Sequence, residues 1–137
     1  MSQSKTARPS KIVARPGVGE PDPKATRKGN YENRALLDLA HKITECQLRL
    51  PGVCQGFAPE GCEPAHSNQA RHGKGKSIKA HDFFHVAACH TCHAELDQGT
   101  KFSREEKQDA WQVGFERTLT EYFKRGWLDV TPAGKGM

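Results

Sequence analysis

The chain has 137 residues, a formal net charge of +5, 35% hydrophobic residues and a mean hydropathy of −0.77. That length suits one domain, and so few apolar residues imply a small core that needs a metal or disulfide staple. No apolar run approaches the ~18 residues of a membrane span, and no apolar leader opens the chain, so the expected setting is a reducing cytosol. There, closely spaced cysteines serve more often as metal ligands than as disulfides. The positive balance favours a polyanionic partner such as nucleic acid without identifying one.

Residues 1–29 read as a disordered basic tail. Pro9, Pro16, Pro21 and Pro23 break it, and Lys5, Arg8, Lys11, Arg15, Lys24, Arg27 and Lys28 outnumber Glu20 and Asp22. Such an arm can add non-specific phosphate contacts. A first helix is predicted from about Tyr31 to Thr44 behind an Asn30 cap, with Leu36, Leu39, Ala40 and Ile43 on one face. Pro51 and Gly52 mark a turn, and residues 55–62 read as loop around Gly56, Pro59 and Gly61. Asn68 to Lys79, rich in Gly, Ser and Lys, is predicted to be an exposed loop. Val86, Ala87 and Ala88 read as a short strand, and residues 90–98 as a short helix. The last helix carries the strongest signals. Ser103 and Glu106 form a capping box, and Trp111, Phe115, Leu119 and Tyr122 repeat along one apolar stripe. Lys124 and Arg125 suit its negative end, and Gly126 its cap. No internal repeat is present. The folded domain is expected over 30–130, with 131–137 a flexible C-terminus.

Five cysteines are available: Cys46, Cys54, Cys62, Cys89 and Cys92. Cys89 and Cys92 form a C-x-x-C knuckle at a strand-to-helix junction, where two sulfurs can face one ion. Cys46, Cys54 and Cys62 are eight residues apart in turn, so two upstream pairs are open. Cys46 and Cys54 bracket the Pro51-Gly52 turn, which lets them fold back together. The preferred structural zinc site is therefore Cys46, Cys54, Cys89 and Cys92, with Cys62 free. No βαβ pattern surrounds the knuckle, which argues against a redox role.

Six of the seven histidines lie between residues 66 and 93, a density that points to a metal or proton-transfer site. His93 follows the knuckle directly and can hold a second ion beside the structural zinc. Asp97, one helical turn on, can orient that imidazole. Between His66 and Asp82 runs a segment with Arg71, Lys74, Lys76 and Lys79. Its glycines let the backbone approach a phosphodiester while the cations pair with its oxygens. The Walker spacing is absent.

The Cys46–Cys54 run, Ala65-His66, Gly73-Lys74-Gly75, the Ile78–Asp82 run and the Ala88–Asp97 run, in that order, resemble the prophage YbcO-like family of HNH-type nucleases. They are also similar to the Ref-type recombination nucleases of phages. The resemblance covers about residues 31–127. It implies an α+β fold: a small, zinc-stabilised ββα-metal core flanked by N- and C-terminal helices. It implies that His66 is the general base, that His93 is a ligand of a catalytic Mg²⁺ or Mn²⁺, and that Asp82 occupies the middle position as a further ligand. Many relatives carry Asp before the first histidine, where this chain has Ala65. The expected function is metal-dependent endonucleolytic cleavage of DNA in a bacterial host cytoplasm, with a recombinase or other phage recombination protein as a partner. The alternative is a catalytically silent zinc module that binds DNA on the same scaffold.

Overall fold

A computed structural model describes residues 29–131. The chain divides into two units, Met1–Asn30 and Tyr31–Met137, and every element below belongs to the second. The seven cations expected in the basic tail, and residues 132–137 at the C-terminus, lie outside the described residues.

Helix α1 (Arg34–Asp38) is shorter than its pattern predicts, and its cap is Asn33 rather than Asn30. The Asn33 Oδ1 accepts from the Leu36 amide at 3.1 Å. The helix tightens into a 3-10 turn over Leu39–Lys42 and ends at Ile43, which is extended. Tertiary pairing stops it: the Ile43 carbonyl accepts from Cys62 N at 2.8 Å and the Thr44 carbonyl from Ala58 N at 2.7 Å. Ile43 itself is buried at 1% exposure, and that burial outweighs the helical periodicity.

Strand β1 (Glu63–His66) pairs antiparallel with β2 (His85–Ala88), Ala65 facing Val86 and His66 facing His85. Pro64 is tolerated because β1 has a strand neighbour on one side only. All four residues of β2 are buried. Its outer edge is satisfied without a third strand: Gln47 N donates to the Ala87 carbonyl at 2.8 Å, and Thr118 Oγ1 accepts from Ala87 N at 3.1 Å. That leaves no open strand edge on this side.

Helix α2 (His90–Gln98) begins one residue after β2, with Cys89 at its cap, as its sequence predicts. Helix α3 (Arg104–Lys124) opens on the expected capping box, with both the Ser103 and Glu106 bonds formed, and Gly126 follows its end at φ 75. Trp111 and Tyr122 of the predicted stripe are buried, while Phe115 and Leu119 are half-buried. The close approach to β2 runs instead through Gly114 and Thr118. A Cβ on Gly114 would lie 2.9 Å from Val86 Cγ1 and 3.0 Å from the Gln47 carbonyl oxygen. The Gly/Thr spacing lets the helix backbone approach the sheet.

Two apolar clusters result. One gathers Leu48, Leu50, Ala65, Val86, Leu96 and Trp111 around Cys46, Cys89 and Cys92. The other joins Ala40, Ile43, Cys62, Ala87 and Tyr122. Residues 68–79 are not a wholly exposed loop. Gln69 and His72 are buried, a 3-10 turn spans Ala70–His72, and Gly75 and Ile78 exchange backbone bonds at 3.0 Å in a tight turn.

Candidate metal centre and active site

The ligand atoms of Cys46, Cys54, Cys89 and Cys92 all lie within 4.8 Å of one another. Three elements of chain deliver them: the 46–54 turn, the end of β2 and the first turn of α2. Each sulfur receives a backbone amide. Arg49 N and Cys89 N donate to Cys46 Sγ at 3.4 and 3.2 Å, and Leu50 N to Cys92 Sγ at 3.3 Å. Gln55 N reaches Cys89 Sγ at 3.4 Å, and Gly56 N reaches Cys54 Sγ at 3.2 Å. Amides aimed at sulfur stabilise thiolates. The Cys46 thiol is drawn down to about 4, chiefly by the Cys92 thiol and then, against burial, by the Arg49 and Cys89 amides. Four sulfurs at this spacing, with an amide on each, can hold a metal ion. Cys62 stands apart at 0% exposure in the second cluster, where burial pushes its thiol up to about 12.

A cleft of about 470 Å³ opens over β1 and α2, and His66, Asn68, Lys74, Lys79, His93 and Asp97 are among the residues that line it. His66 lies at the end of β1, and its Nε2 meets Asp82 Oδ1 at 2.8 Å. A carboxylate oxygen accepts, so Nε2 donates to Asp82 and Nδ1 is the ring nitrogen left for another partner. The other Asp82 oxygen accepts from Asn33 N at 2.6 Å, and Asp82 is 7% exposed. The sequence expectation placed Asp82 with His93 on one ion. The side chains form a different pair: Asp82 uses both oxygens on His66 and Asn33, so it braces the imidazole from behind.

His93 meets two other carboxylates. Its Nδ1 donates to Glu63 Oε1 at 2.7 Å, and its Nε2 faces Asp97 Oδ2 at 3.3 Å. Asp97 and Glu63, acting against partial burial, raise the basicity of this imidazole. His90 Nδ1 holds the second Glu63 oxygen at 3.0 Å, and Asn68 Nδ2 donates to Asp97 Oδ1 at 2.9 Å. Glu63 and Asn68 carry no signal in the sequence. Glu63 stands three residues before His66 on a strand with no alternating pattern, and Asn68 reads as an ordinary loop residue. Asp97 does carry a signal, its i+4 spacing from His93.

Three further histidines are held within the fold, while His41 is exposed and lines the cleft with His66. His85 donates from Nδ1 to the Asp82 carbonyl at 2.6 Å and accepts from the Tyr122 hydroxyl at 2.9 Å. Its burial pulls the imidazole down to about 4, so it is neutral. His72 bonds Ser67 Oγ at 2.6 Å and stacks on Phe84. His81 Nδ1 accepts from Tyr31 N at 2.9 Å. Among the predicted phosphate-binding residues, Lys74 and Lys79 line the histidine cleft. Arg71 lines an adjoining one, and Lys76 is exposed at the 75–78 turn.

A family model described as "Putative nuclease YbcO" matches residues 35–127. The chain belongs to the YbcO family. It is 37% identical over 94 residues to "Putative nuclease YbcO" of Escherichia coli strain K12, a match that covers 67% of this chain and 95% of that protein. The same identity and coverage relate it to "Putative nuclease ybcO" of Enterobacteria phage 82. A solved structure, of a "putative bacteriophage protein" from Escherichia coli K-12, is similar at 32% identity with a TM-score of 0.50. That match covers 66% of this chain and 99% of the other. The YbcO match spans all four clustered cysteines together with Glu63, His66, Asp82, His93 and Asp97. No helix among the described residues is long and apolar enough to cross a membrane.

Proposed function

We propose that this chain is an HNH-type, metal-dependent DNA endonuclease of phage or prophage origin. The observation that carries the proposal is one cleft bearing both a braced imidazole, His66 on Asp82, and a carboxylate-buttressed pair, His93 with Asp97. The order β1, β2, α2, with His66 on the first strand and His93 on the helix, supports reading it as a ββα-metal core.

The residues fit two ions. Cys46, Cys54, Cys89 and Cys92 suit a closed, structural Zn²⁺ site, because all four donors are protein sulfurs. His93 Nε2 and Asp97 Oδ2 converge at 3.3 Å, while Glu63 and Asn68 occupy their other polar atoms. Such a half-filled set suits a Mg²⁺ or Mn²⁺ that keeps positions for water and phosphate. When bound there, the ion would stabilise charge on the phosphoryl and leaving oxygens. Asp82 fixes the His66 tautomer so that Nδ1 faces the cleft as general base. His66 accepts a proton from water as that water attacks phosphorus in line with the departing oxygen. Lys74 and Lys79 pair with the phosphodiester from the cleft wall.

The test is cleavage of supercoiled plasmid with Mg²⁺, Mn²⁺ or Ni²⁺ by the wild type, His66→Ala and Asp97→Asn. Nicking that requires the added metal and fails in both variants, at unchanged zinc content, supports the reading. Lost folding in His66→Ala would instead make that residue structural.

One observation favours a second reading, the silent DNA-binding module. The residue beside His66 is Ala65, fully buried and without a donor atom, so that position supplies no ligand. That reading predicts DNA binding at low salt with no cleavage under any divalent metal.

A further inference from the structure

A second cleft of about 670 Å³ lies against the first, and the two share Asn68 and Asp97 as walls. Its rim carries Arg71 from the 3-10 turn and Arg104 and Lys107 from the first turn of α3. Among the described residues Asp97 is its sole lining carboxylate, and that group already faces His93. Gln69 Oε1 holds Arg71 Nε at 2.8 Å, which pre-sets one guanidinium, and Lys107 Nζ is tethered to the Gly99 carbonyl at 2.6 Å. No ion pair among the described residues engages Arg71, Arg104 or Lys107. Arg104 is exposed and stands nearly forty residues from His66 in sequence, so nothing in the sequence pattern links the two.

Three cations around a concavity with one shared acid make a field for a polyanion, and the continuity with the histidine cleft sets its direction. We propose that this second cleft is the track for the nucleic-acid backbone on one side of the cut, with Arg71, Arg104 and Lys107 on the phosphates that flank the scissile one. The chemistry recognised is the phosphodiester chain itself, read without base contacts. The proposal rests on the nuclease reading, which places the scissile phosphate between His66 and His93. It adds α3, otherwise a core helix, to the substrate surface.

The test is binding of the full chain, carrying His66→Ala to prevent turnover, to fluorescent single-stranded and duplex oligonucleotides over a salt series. Arg71→Gln and Arg104→Gln are each placed on that background. Lys124→Gln is the control: the same charge change on the same helix, ~30 Å from Arg104 at 1.5 Å per residue. Removing one phosphate-binding cation should lower the slope of log affinity against log salt by about 0.7 to 0.9 and weaken binding uniformly across sequences. The expected result is that drop for Arg71→Gln and Arg104→Gln, with the Lys124→Gln slope unchanged. Equal slopes in all variants, by a protein that binds and whose parent cuts DNA, would overturn the track and leave the nuclease reading standing. No binding of either probe by the parent would overturn both.

Discussion

At the level of single residues, the cleft depends on which atoms are already occupied. Asp82 holds the Nε2 of His66, so in the proposed mechanism Nδ1 is the nitrogen left to act as the base. Asp82→Asn keeps the shape but can offer an N–H to that nitrogen, which reverses the tautomer. We expect cleavage to fall by about 10²–10⁴, the usual worth of a positioned base, at unchanged zinc content. An unaltered rate would show that Asp82 does not orient His66. His85 obeys the opposite logic. Held neutral between the Asp82 carbonyl and the Tyr122 hydroxyl, its imidazole sits at about 4, below the ordinary 6.5. A depressed base gives its full stability above pH 6.5. As pH falls toward 4 the unfolded chain takes up the proton first, and stability is lost by about 1.4 kcal/mol per pH unit. Because acid also strips thiolates of metal, the comparison is with His85→Gln, a neutral stand-in. The stability gap between the wild type and His85→Gln should narrow as pH drops from 6.5 to 4, read by chemical denaturation. A gap that stays constant would mean the native imidazole is not held neutral.

At the level of elements, α2 and α3 are legible in the sequence because local signals and tertiary packing agree there. The Ser103–Glu106 box, Gly126 and the knuckle each mark a boundary that the fold keeps. The C-terminal end of helix α1 and strand β1 are not legible, because non-local bonds decide them. Ile43 leaves its helix to pair with Cys62, and β1 is a Glu-Pro-Ala-His run with no strand pattern of its own. The same contrast separates the two halves of the site. The cysteine set can be chosen from the knuckle and the Pro51-Gly52 turn, and Asp97 from its i+4 spacing to His93, whereas Asp82 on His66 and Glu63 on His93 require the register of β1 against β2 and the approach of Asn33. Helix α3 meets the sheet through Gly114, not through the aromatic stripe alone. Gly114→Ala gains about 1 kcal/mol of helix propensity but drives a methyl into Val86 and the Gln47 carbonyl. A net loss of roughly 1–3 kcal/mol is expected, as for other overpacked sites. A raised melting temperature would show that the helix can shift outward at little cost.

For the whole molecule, the four-cysteine cluster and the core are one object. Cys46, Cys89 and Cys92 belong to the same apolar cluster as Leu48, Val86 and Trp111. Binding free energy there is folding free energy, so chelation or Cys54→Ser should unfold the domain cooperatively, as seen by loss of near-ultraviolet circular dichroism. Cys62→Ala, in the other cluster, should keep its zinc. Retained tertiary structure after complete zinc removal would detach the cysteines from the fold. The histidine cleft is a separate matter: His93 and Asp97 share one turn of α2, and Glu63 reaches His93 from β1.

The proposed function divides labour between a structural zinc and a catalytic divalent ion, and one titration separates them. Protein loaded with one zinc per chain is titrated with Mn²⁺ while plasmid nicking and bound zinc are followed together. The expected result is no cleavage from zinc alone, activity that rises and saturates with Mn²⁺, and zinc content that stays at one throughout. Cleavage by the zinc form without added metal, or activity that tracks displacement of zinc by Mn²⁺, would contradict it.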